Sequence, residues 1–529
     1  MLQIRKFLSA VGLITIVRTE FQRIKPPRET PVGKKVISFA DCLMSAFAMF
    51  NLKYPSLLQF DNSHRLDPQV RHNLGTLYGI ERIPCDTYMR GRLDEGDPQT
   101  LRKVYKRLFS FLQRGKALEP YRYLDGRYLL AGDGTGFFAS NSVHCNQCCI
   151  KHEHKLSIVL TGKKSIDDLS LKARSYILTN PLGIYFLLAY VDEYKKITLI
   201  SINDIDNLPA LLHDKKAYKE LSKKDKEAII LAIESYHYAR FSEEKVLYYH
   251  NMYCSAIVHP DIKEVIPFIP EPIMKEDGDT KNDCERNASK RLYKDLKREH
   301  PHLKVIVVED SLASNYPHLS ELKKLDMRFI AGAKEGDHKA LFKWVSEHEC
   351  TTYEHNNEDG VTHEYLYINN APLNKSHDDF KVNFMEYWET NKKGDKQHFS
   401  WVTDITITND NAYQIMRGGR ANWKIENPIF NTLKNQNYHF SHNFGHGYKS
   451  LSTLLATLML LAFFVDQIQQ LCCAVFQQAL KKRKSKIGLW EKMRSLFTDY
   501  YIDSWDDLFH ALIHGPPRIS LKNQLIVTG

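Results

Sequence analysis

The sequence lacks several features that mark other classes of protein. Its ten cysteines are spread over 529 residues without even spacing, which excludes the disulfide framework of small secreted domains. No Gly-rich loop ends in Lys-Ser or Lys-Thr, so the use of ATP is not indicated. No internal repeat is found, and a solenoid or propeller is therefore not expected.

Two apolar segments are too weak to act as targeting or membrane-spanning elements. The segment 7–17 follows Arg5 and Lys6, as in a signal peptide, but charged residues follow at once and no small-x-small cleavage site appears. The apolar run 451–465 is shorter than the ~20 residues that span a bilayer. We therefore expect a cytoplasmic protein with reduced thiols and no membrane partner.

The charge is unevenly divided along the chain, whose formal net charge is +10. Residues 1–130 carry 22 Lys and Arg against 12 Asp and Glu, and residues 417–529 carry 14 against 7. Residues 131–416 carry 37 against 44. Two basic ends around a mildly acidic middle favour a polyanion as partner. On charge alone, ordinary solvation of a long chain explains the surplus equally well.

The first hundred residues have the pattern of helices. Apolar residues recur at helical spacing over 39–51, and Asp97-Pro98 opens a helix predicted over 99–113. One face of the second helix is apolar and the other is basic. Such a face is either solvated surface or a DNA contact, and both readings stay open. Its basic residues are Arg102, Lys103, Lys106 and Arg107.

The middle of the chain predicts an α/β sheet. The runs 128–133 and 303–310 are short apolar strands that each end on an acid, Asp133 and Asp310. A helix over 283–299 precedes the second strand, and a crossover over 311–325 leads into a strand over 327–331. Strand, helix and strand in this order predict at least one parallel pair.

Changes in pattern divide the chain further. Residues 332–416 alternate apolar and polar, which predicts an all-β insert, and helical spacing returns in 423–434 and 451–480. The segment 155–246 fits neither neighbour. We predict an N-terminal helical DNA-binding region (1–122), three parts of a catalytic core (123–154, 247–331, 417–480), an insertion (155–246), a β insert (332–416) and a basic helical C-terminal region (481–529).

Three acids stand where metal-dependent phosphoryl chemistry needs oxygen ligands. Asp133 and Asp310 end strands, and Glu426 lies in the helical segment 423–434. Two Mg²⁺ ions about 4 Å apart need several carboxylates held on one rim by rigid elements. A single strand-terminal Asp is usually a capping or turn residue. The order of strand acid, strand acid, insert and helix acid is more specific.

At these residues the chain resembles DDE transposases of bacterial insertion sequences. The blocks 133–136, 307–315 and 419–434 are similar to the motifs around the first, second and third acid of that family. The resemblance continues through 443–447, 56–61 and 258–261, and covers most of the chain outside 155–246. It implies an RNase H-like mixed sheet flanked by helices, with an N-terminal helical domain and an all-β insert before the catalytic helix.

The resemblance also implies a function. Asp133, Asp310 and Glu426 would hold catalytic Mg²⁺, which Mn²⁺ can replace, for cleavage of DNA at element ends and transfer into target DNA. The implied partners are terminal inverted repeats and target DNA, held by a homodimer beside the bacterial nucleoid. Arg420, Lys424 and Lys434 would contact phosphates, and Trp401 and Trp423 are candidates for contact with bases.

Two alternatives stay open at this stage. An RNase H-like nuclease would cut DNA without joining it. A catalytically silent DNA-binding protein derived from a transposase is motivated by Asn422, which stands where the family usually has Arg, and by the insertion 155–246.

A second metal is indicated by the segment 144–154. Cys145 and Cys148 have the spacing of a zinc knuckle, and His152 or His154 would complete four ligands. No second Cys-x₂-Cys follows, so free thiols are the alternative. The later histidines are interpreted as loop residues near DNA; they are His439, His442 and His446.

Overall fold

The computed structural model describes residues 6–28, 37–156, 175–179, 186–191, 197–202, 223, 241–275, 284–356 and 360–516. The chain divides into two compact units. Met1–Cys149 and Tyr249–Gly529 form the first unit, and Ile150–Tyr248 forms the second. The candidate site residues whose side chains the structure describes all belong to the first unit.

The described residues contain fifteen α-helices. They are α1 Ala10–Gln22, α2 Phe39–Asn51, α3 Leu57–Leu66, α4 Pro68–Tyr78, α5 Asp86–Asp94, α6 Arg102–Arg114, α7 Glu285–Glu299, α8 Tyr316–Lys324, α9 Lys339–Ser346, α10 Asn409–Arg420, α11 Thr432–Asn435, α12 Leu451–Cys472, α13 Ala474–Arg483, α14 Lys486–Asp499 and α15 Trp505–His514. A π-turn, Ile425–Asn431, directly precedes α11.

The strands form one large sheet and one small sheet. In chain order they are β1 Tyr128–Ser140, β2 Cys149–Leu156, β3 Ser175–Thr179, β4 Phe186–Val191, β5 Ile197–Ile202, β6 Phe241–His259, β7 Ile262–Pro267, β8 Glu271–Ile273, β9 Val305–Glu309, β10 Arg328–Gly332, β11 Thr351–Asn356, β12 Thr362–Asn374, β13 His377–Thr390 and β14 Lys396–Thr403.

The sheet of the first unit is mixed. Its strand order is β11-β12-β13-β14-β10-β9-β1-β6, and β7 and β8 also pair with β6. Strand β9 runs parallel to both β1 and β10, whereas β14 is antiparallel to β10. The β-branched run of β9 is buried along its whole length, as expected for a strand covered on both faces. The predicted parallel pair is therefore confirmed.

The N-terminal helices pack against the C-terminal helices. The predicted helix 39–51 is confirmed as α2, and Ser38 caps it by accepting the Asp41 N–H. Helix α2 packs on α12. Asn73 of α4 donates to the carbonyl of Phe497 at 2.8 Å, which ties it to α14. These helices belong to the same compact unit as the sheet.

The apolar C-terminal helix differs from its prediction. Helix α12 has 22 residues, ends at Cys472 and is followed by a separate helix α13, so 451–480 is not one helix. By length and composition α12 could cross a bilayer, but its apolar window is completely buried within the protein. It is therefore placed as the core helix of the first unit.

The second unit is described only in part. Strands β3, β4 and β5 form an antiparallel sheet in that order, and most of β2 also lies in this unit. Most of the insertion predicted over 155–246 lies outside the described residues.

The predicted fold class is confirmed. Strands β7, β6, β1, β9 and β10 form a mixed α/β sheet of the RNase H-like kind, with α7 and α8 as the helices before and after β9. Strands β11 to β14 form an antiparallel insert between β10 and the segment that carries Glu426. The region 332–416 is not all-β as predicted, because helix α9 and most of α10 also lie in it. Helices lie at both ends of the chain.

Candidate active site

The parallel pairing of β1 and β9 brings two acids to the same level of the sheet. The register aligns Tyr128 with Val305 and continues to Ala131 with Val308. Asp133 and Asp310 each lie two residues beyond the last aligned pair, on neighbouring strands. Asp310 follows the end of β9 as predicted, but β1 continues to Ser140, so Asp133 lies within its strand and not at its end.

The third acid is presented by an unusual backbone. Glu426 is exposed in the first turn of the π-turn, which contains Pro428 and packs against β1. Proline lacks an N–H and clashes with the preceding turn of an α-helix, and the wider π-turn accommodates it. The helix predicted over 423–434 is present as one continuous helical segment, but its middle part, Ile425–Asn431, has the wider π form instead of the regular α form.

The acids interact electrostatically. The pKa of Asp133 is raised to about 7, mainly by burial and also by the negative charges of Glu285, Asp310 and Glu426, while the hydrogen bond from the Gly134 N–H acts in the opposite direction. Like charges held this close destabilise one another unless a cation lies among them. Carboxylate oxygens are the donors that Mg²⁺ prefers, so the chemistry of these acids fits such an ion.

Glu285 is an acid that the sequence did not single out. It lies in the first turn of α7, and its carboxylate occupies the space where a side chain at Gly134 would project. Burial raises the pKa of Glu285, and the charge of Asp310 adds to the effect. In the sequence this residue looks like an ordinary acid that complements a helix dipole. Only the fold brings it to Asp133.

A buried polar cluster lies behind Asp310. Glu309 accepts hydrogen bonds from Tyr253 and from Tyr293, the latter at 2.8 Å, and pairs with His318 at 2.6 Å. Burial alone would raise the pKa of Glu309, but the neighbouring imidazolium and the hydrogen bonds lower it. The cluster anchors the end of β9 and so fixes the position of the adjacent Asp310.

A cavity of about 1030 Å³ opens beside Asp310. It lies between the end of β9, helix α9 and the β insert, and Trp401 and Asn422 are among its lining residues. The exposed side chains of Lys334 and Lys339 also line it and were not predicted as site residues. They lie in a loop and at a helix start after β10, where nothing in the sequence sets them apart from other surface lysines.

The basic residues predicted around Glu426 differ in their surroundings. Arg420 pairs with Glu389 of the β insert at 2.5 Å and lies over the Phe399 ring. Lys424 is buried, and its ammonium donates to the Ile262 carbonyl at 2.6 Å. Lys434 is exposed on α11. Lys434 is thus the most accessible of the three to a phosphate.

The two tryptophans also differ. Trp401 is 5% exposed and packs against Phe399 and Gly419, where an added Cβ would lie 2.5 Å from the indole nitrogen. Trp423 is 50% exposed, beside Lys424 in a second cavity of about 610 Å³. Stacking on a base therefore stays a prediction for both, with the more accessible ring at Trp423.

The basic face of α6 is divided. Arg102 forms ion pairs with Glu271, Asp295 and Glu299 at 3.6, 3.0 and 3.4 Å, which gives it a structural role in joining α6 to α7 and β8. Lys103, Lys106 and Arg107 are exposed. The DNA contact predicted for this helix stays a prediction for these three residues.

The cysteines of the predicted zinc knuckle meet different histidines. Cys145, Cys148, His250 and His446 have their ligand atoms within 4.8 Å of one another. The interpretation of His446 as a loop residue near DNA is therefore replaced by a place in this cluster. The side chains of the predicted partners, His152 and His154, lie outside the described residues. A buried Cys₂His₂ cluster of this kind could bind a structural zinc ion.

Comparisons with known proteins find similarity at the level of structure. No protein-family model matches the sequence, and no curated protein matches it. Among solved structures, the chain is similar to a piggyBac transposase in a synaptic complex with hairpin DNA. The TM-score is 0.35 and the identity 10%, over 97% of this chain and 80% of that chain. The origin in a bacterial insertion sequence stays a prediction.

Proposed function

We propose that this chain is a DNA transposase that uses a DDE-type site for metal-dependent phosphoryl transfer. The observation that carries the proposal is the placement of Asp133 and Asp310 at one level of neighbouring parallel strands, coupled electrostatically to Glu426 and Glu285. Carboxylates on the sheet and on the two helical segments beside it repel one another, which is costly to stability, and such a cost is typical of functional sites.

The chain's own residues account for how the reacting groups would be held. Asp133 accepts the Gly134 N–H at 2.7 Å, and Asp310 accepts the Leu312 N–H at 3.0 Å, so both carboxylates are oriented by backbone donors. Together with Glu426 and Glu285 they would hold Mg²⁺ or Mn²⁺. When bound, the metal supplies Lewis-acid activation of water and of the leaving oxygen. Water, and then a DNA 3′-hydroxyl, would attack in line at phosphorus.

The cavity beside Asp310 is proposed as part of the DNA path. Its lining includes Lys334, Lys339 and Lys343, which would contact the phosphate backbone, beside the acids Glu309, Asp310, Glu335 and Glu386. Asn422 also lines this cavity, and its buried Oδ1 atom has no hydrogen-bond partner among the described residues. We propose terminal inverted repeats and target DNA as the substrates, a homodimer as the active form, and the bacterial cytoplasm, near the nucleoid, as its location.

The proposal is tested by cleavage of labelled DNA that carries both flanks of the reading frame. With Mg²⁺ or Mn²⁺ the wild type is expected to nick this DNA at a defined boundary and to join the freed end to a target plasmid. Asp133→Ala should bind the DNA but neither nick nor join it. A wild type that only nicks would be a nuclease, and one that binds without nicking would be a silent relative. Equal activity in the variant would refute the assignment of Asp133.

Two of the lysines that line this cavity allow a separate prediction. Replacing both Lys334 and Lys339 by Gln should weaken binding of the same DNA and reduce the slope of log K against log [salt] by about 2, since each phosphate contact contributes roughly 0.9. Fluorescence anisotropy at several salt concentrations measures this. The matched control replaces Lys392 and Lys393, which are exposed in the β13–β14 turn, and should leave the slope unchanged. Equal slopes in both double variants would exclude this cavity from the DNA path.

A further inference from the structure

Four potential metal ligands converge at a point separate from the acids. Cys145 and Cys148 follow β1, His250 lies in β6, and His446 lies in the loop between α11 and α12. Cys148, His250 and His446 are buried, at 1, 2 and 5% exposure. Together the four offer two sulfur and two nitrogen donors, which is a donor set that structural zinc sites use.

The distances fit a tetrahedron around zinc. The two Sγ atoms are 3.8 Å apart, and the Nε2 atoms of His250 and His446 are 3.1 Å apart. The Nε2 atom of His250 is 3.5 Å from the sulfur of Cys145 and 3.3 Å from that of Cys148. The Nε2 atom of His446 is 3.3 Å from the sulfur of Cys148. In a tetrahedral site with bonds of about 2.3 Å to sulfur and 2.05 Å to nitrogen, two sulfurs lie about 3.8 Å apart, two nitrogens about 3.3 Å apart, and a sulfur and a nitrogen about 3.6 Å apart. The cluster therefore has the size of a zinc site.

The surroundings support metal binding over ordinary packing. The Nδ1 atom of His446 is 2.9 Å from the Gly447 carbonyl, and this contact leaves Nε2 as the ligand atom. Phe137 stacks on the His250 ring and Phe138 lies against His446, so the site has an apolar shell. The sulfur distance of 3.8 Å is far too long for a disulfide bond.

We propose that Cys145, Cys148, His250 and His446 bind one structural zinc ion. The ion joins the segment that follows β1, which carries Asp133, to the loop that follows Glu426. That loop has a second anchor, because Asp94 of α5 accepts the N–H groups of Tyr448 and Lys449 at 2.9 Å. Zinc thus fixes the spacing between the segments that adjoin Asp133 and Glu426.

Metal analysis of the full-length protein tests the proposal. Protein purified under reducing conditions with zinc in the medium is expected to contain one zinc ion per chain. Cys148→Ser should lose the zinc. Cys149→Ser should retain it, because Cys149 is equally buried and adjacent in sequence, but its thiol donates to the Ile273 carbonyl instead. His442→Asn, an exposed histidine of the same loop, is the control for His446→Asn.

Two further measurements keep the test independent of folding defects. Co²⁺ in place of zinc in the wild type should give the thiolate charge-transfer and tetrahedral d–d bands, and His446→Cys should retain metal as a Cys₃His site. A chelator should lower the thermal unfolding midpoint of the wild type but not that of Cys148→Ser. A wild type without zinc or cobalt bands, or with a Cys145–Cys148 disulfide, would overturn the proposal. None of these readouts depends on DNA cleavage, so the proposed function can fail or stand separately.

Discussion

Asp310→Asn is expected to slow metal-dependent DNA cleavage by about a thousandfold or more, the scale on which loss of a transition-state contact acts. The metal-free variant should nevertheless be at least as stable as the wild type. The physical reason is that Asp310 adds its negative charge to those of Asp133, Glu285 and Glu426, and removing one charge relieves repulsion. The amide of Asn can still accept the Leu312 N–H.

The measurement pairs single-turnover cleavage with urea unfolding in the presence of a chelator. Mg²⁺ should raise the free energy of unfolding of the wild type and have little effect on Asp310→Asn, since binding to the folded state stabilises it. Asp326→Asn removes one exposed acid elsewhere in the first unit and should change neither readout. If metal-free Asp310→Asn is instead much less stable than the wild type, its loss of activity comes from a structural role of Asp310.

Asp466→Leu is expected to lower the free energy of unfolding by about 3–5 kcal/mol, the cost of leaving a buried charge without its partner. Asp466 of α12 and Lys53, which follows α2, form an ion pair at 2.7 Å with both side chains fully buried. Asn51 and Tyr438 also donate to Asp466. In the variant the Lys53 ammonium would lie between the Tyr438 and Trp490 rings without a counter-ion.

Urea unfolding followed by tryptophan fluorescence measures this change. The matched variant carries Lys53→Met together with Asp466→Leu, and it should recover much of the loss because neither charge then has to be desolvated. Burial lowers the pKa of Lys53 and raises that of Asp466, which shows that both charged forms are disfavoured there. A double variant as unstable as Asp466→Leu would indicate that packing and not charge determines the cost.

The sequence predicted the sheet and its acids because those signals are local. The apolar run of β9 and its terminal Asp310 are visible in ten consecutive residues, and the order of acids and insert is visible along the chain. The π-turn at Glu426 was not predicted, because Pro428 shows only that a regular helix is strained and not which backbone replaces it.

The remaining site residues could not be predicted because they depend on distant contacts. His250 and His446 lie 102 and 298 positions from Cys148, so no spacing rule connects them. Arg102 and Lys103 are neighbours in the same basic pattern, but only Arg102 forms ion pairs with acids of α7 and β8. A pattern of charge shows that a face is basic, and the fold decides which cations are left for DNA.

The ion pair between Lys53 and Asp466 also has a consequence for synthesis, since its partners are 413 positions apart. At about 5–20 residues per second, roughly 20–80 s separate the emergence of α2 from that of α12, the helix that covers it. During this interval the apolar face of α2 has no partner from α12. We therefore expect the nascent chain to depend on chaperones until its last third is made. The amount of active protein should then follow the number of chains that are completed more closely than the number that are initiated.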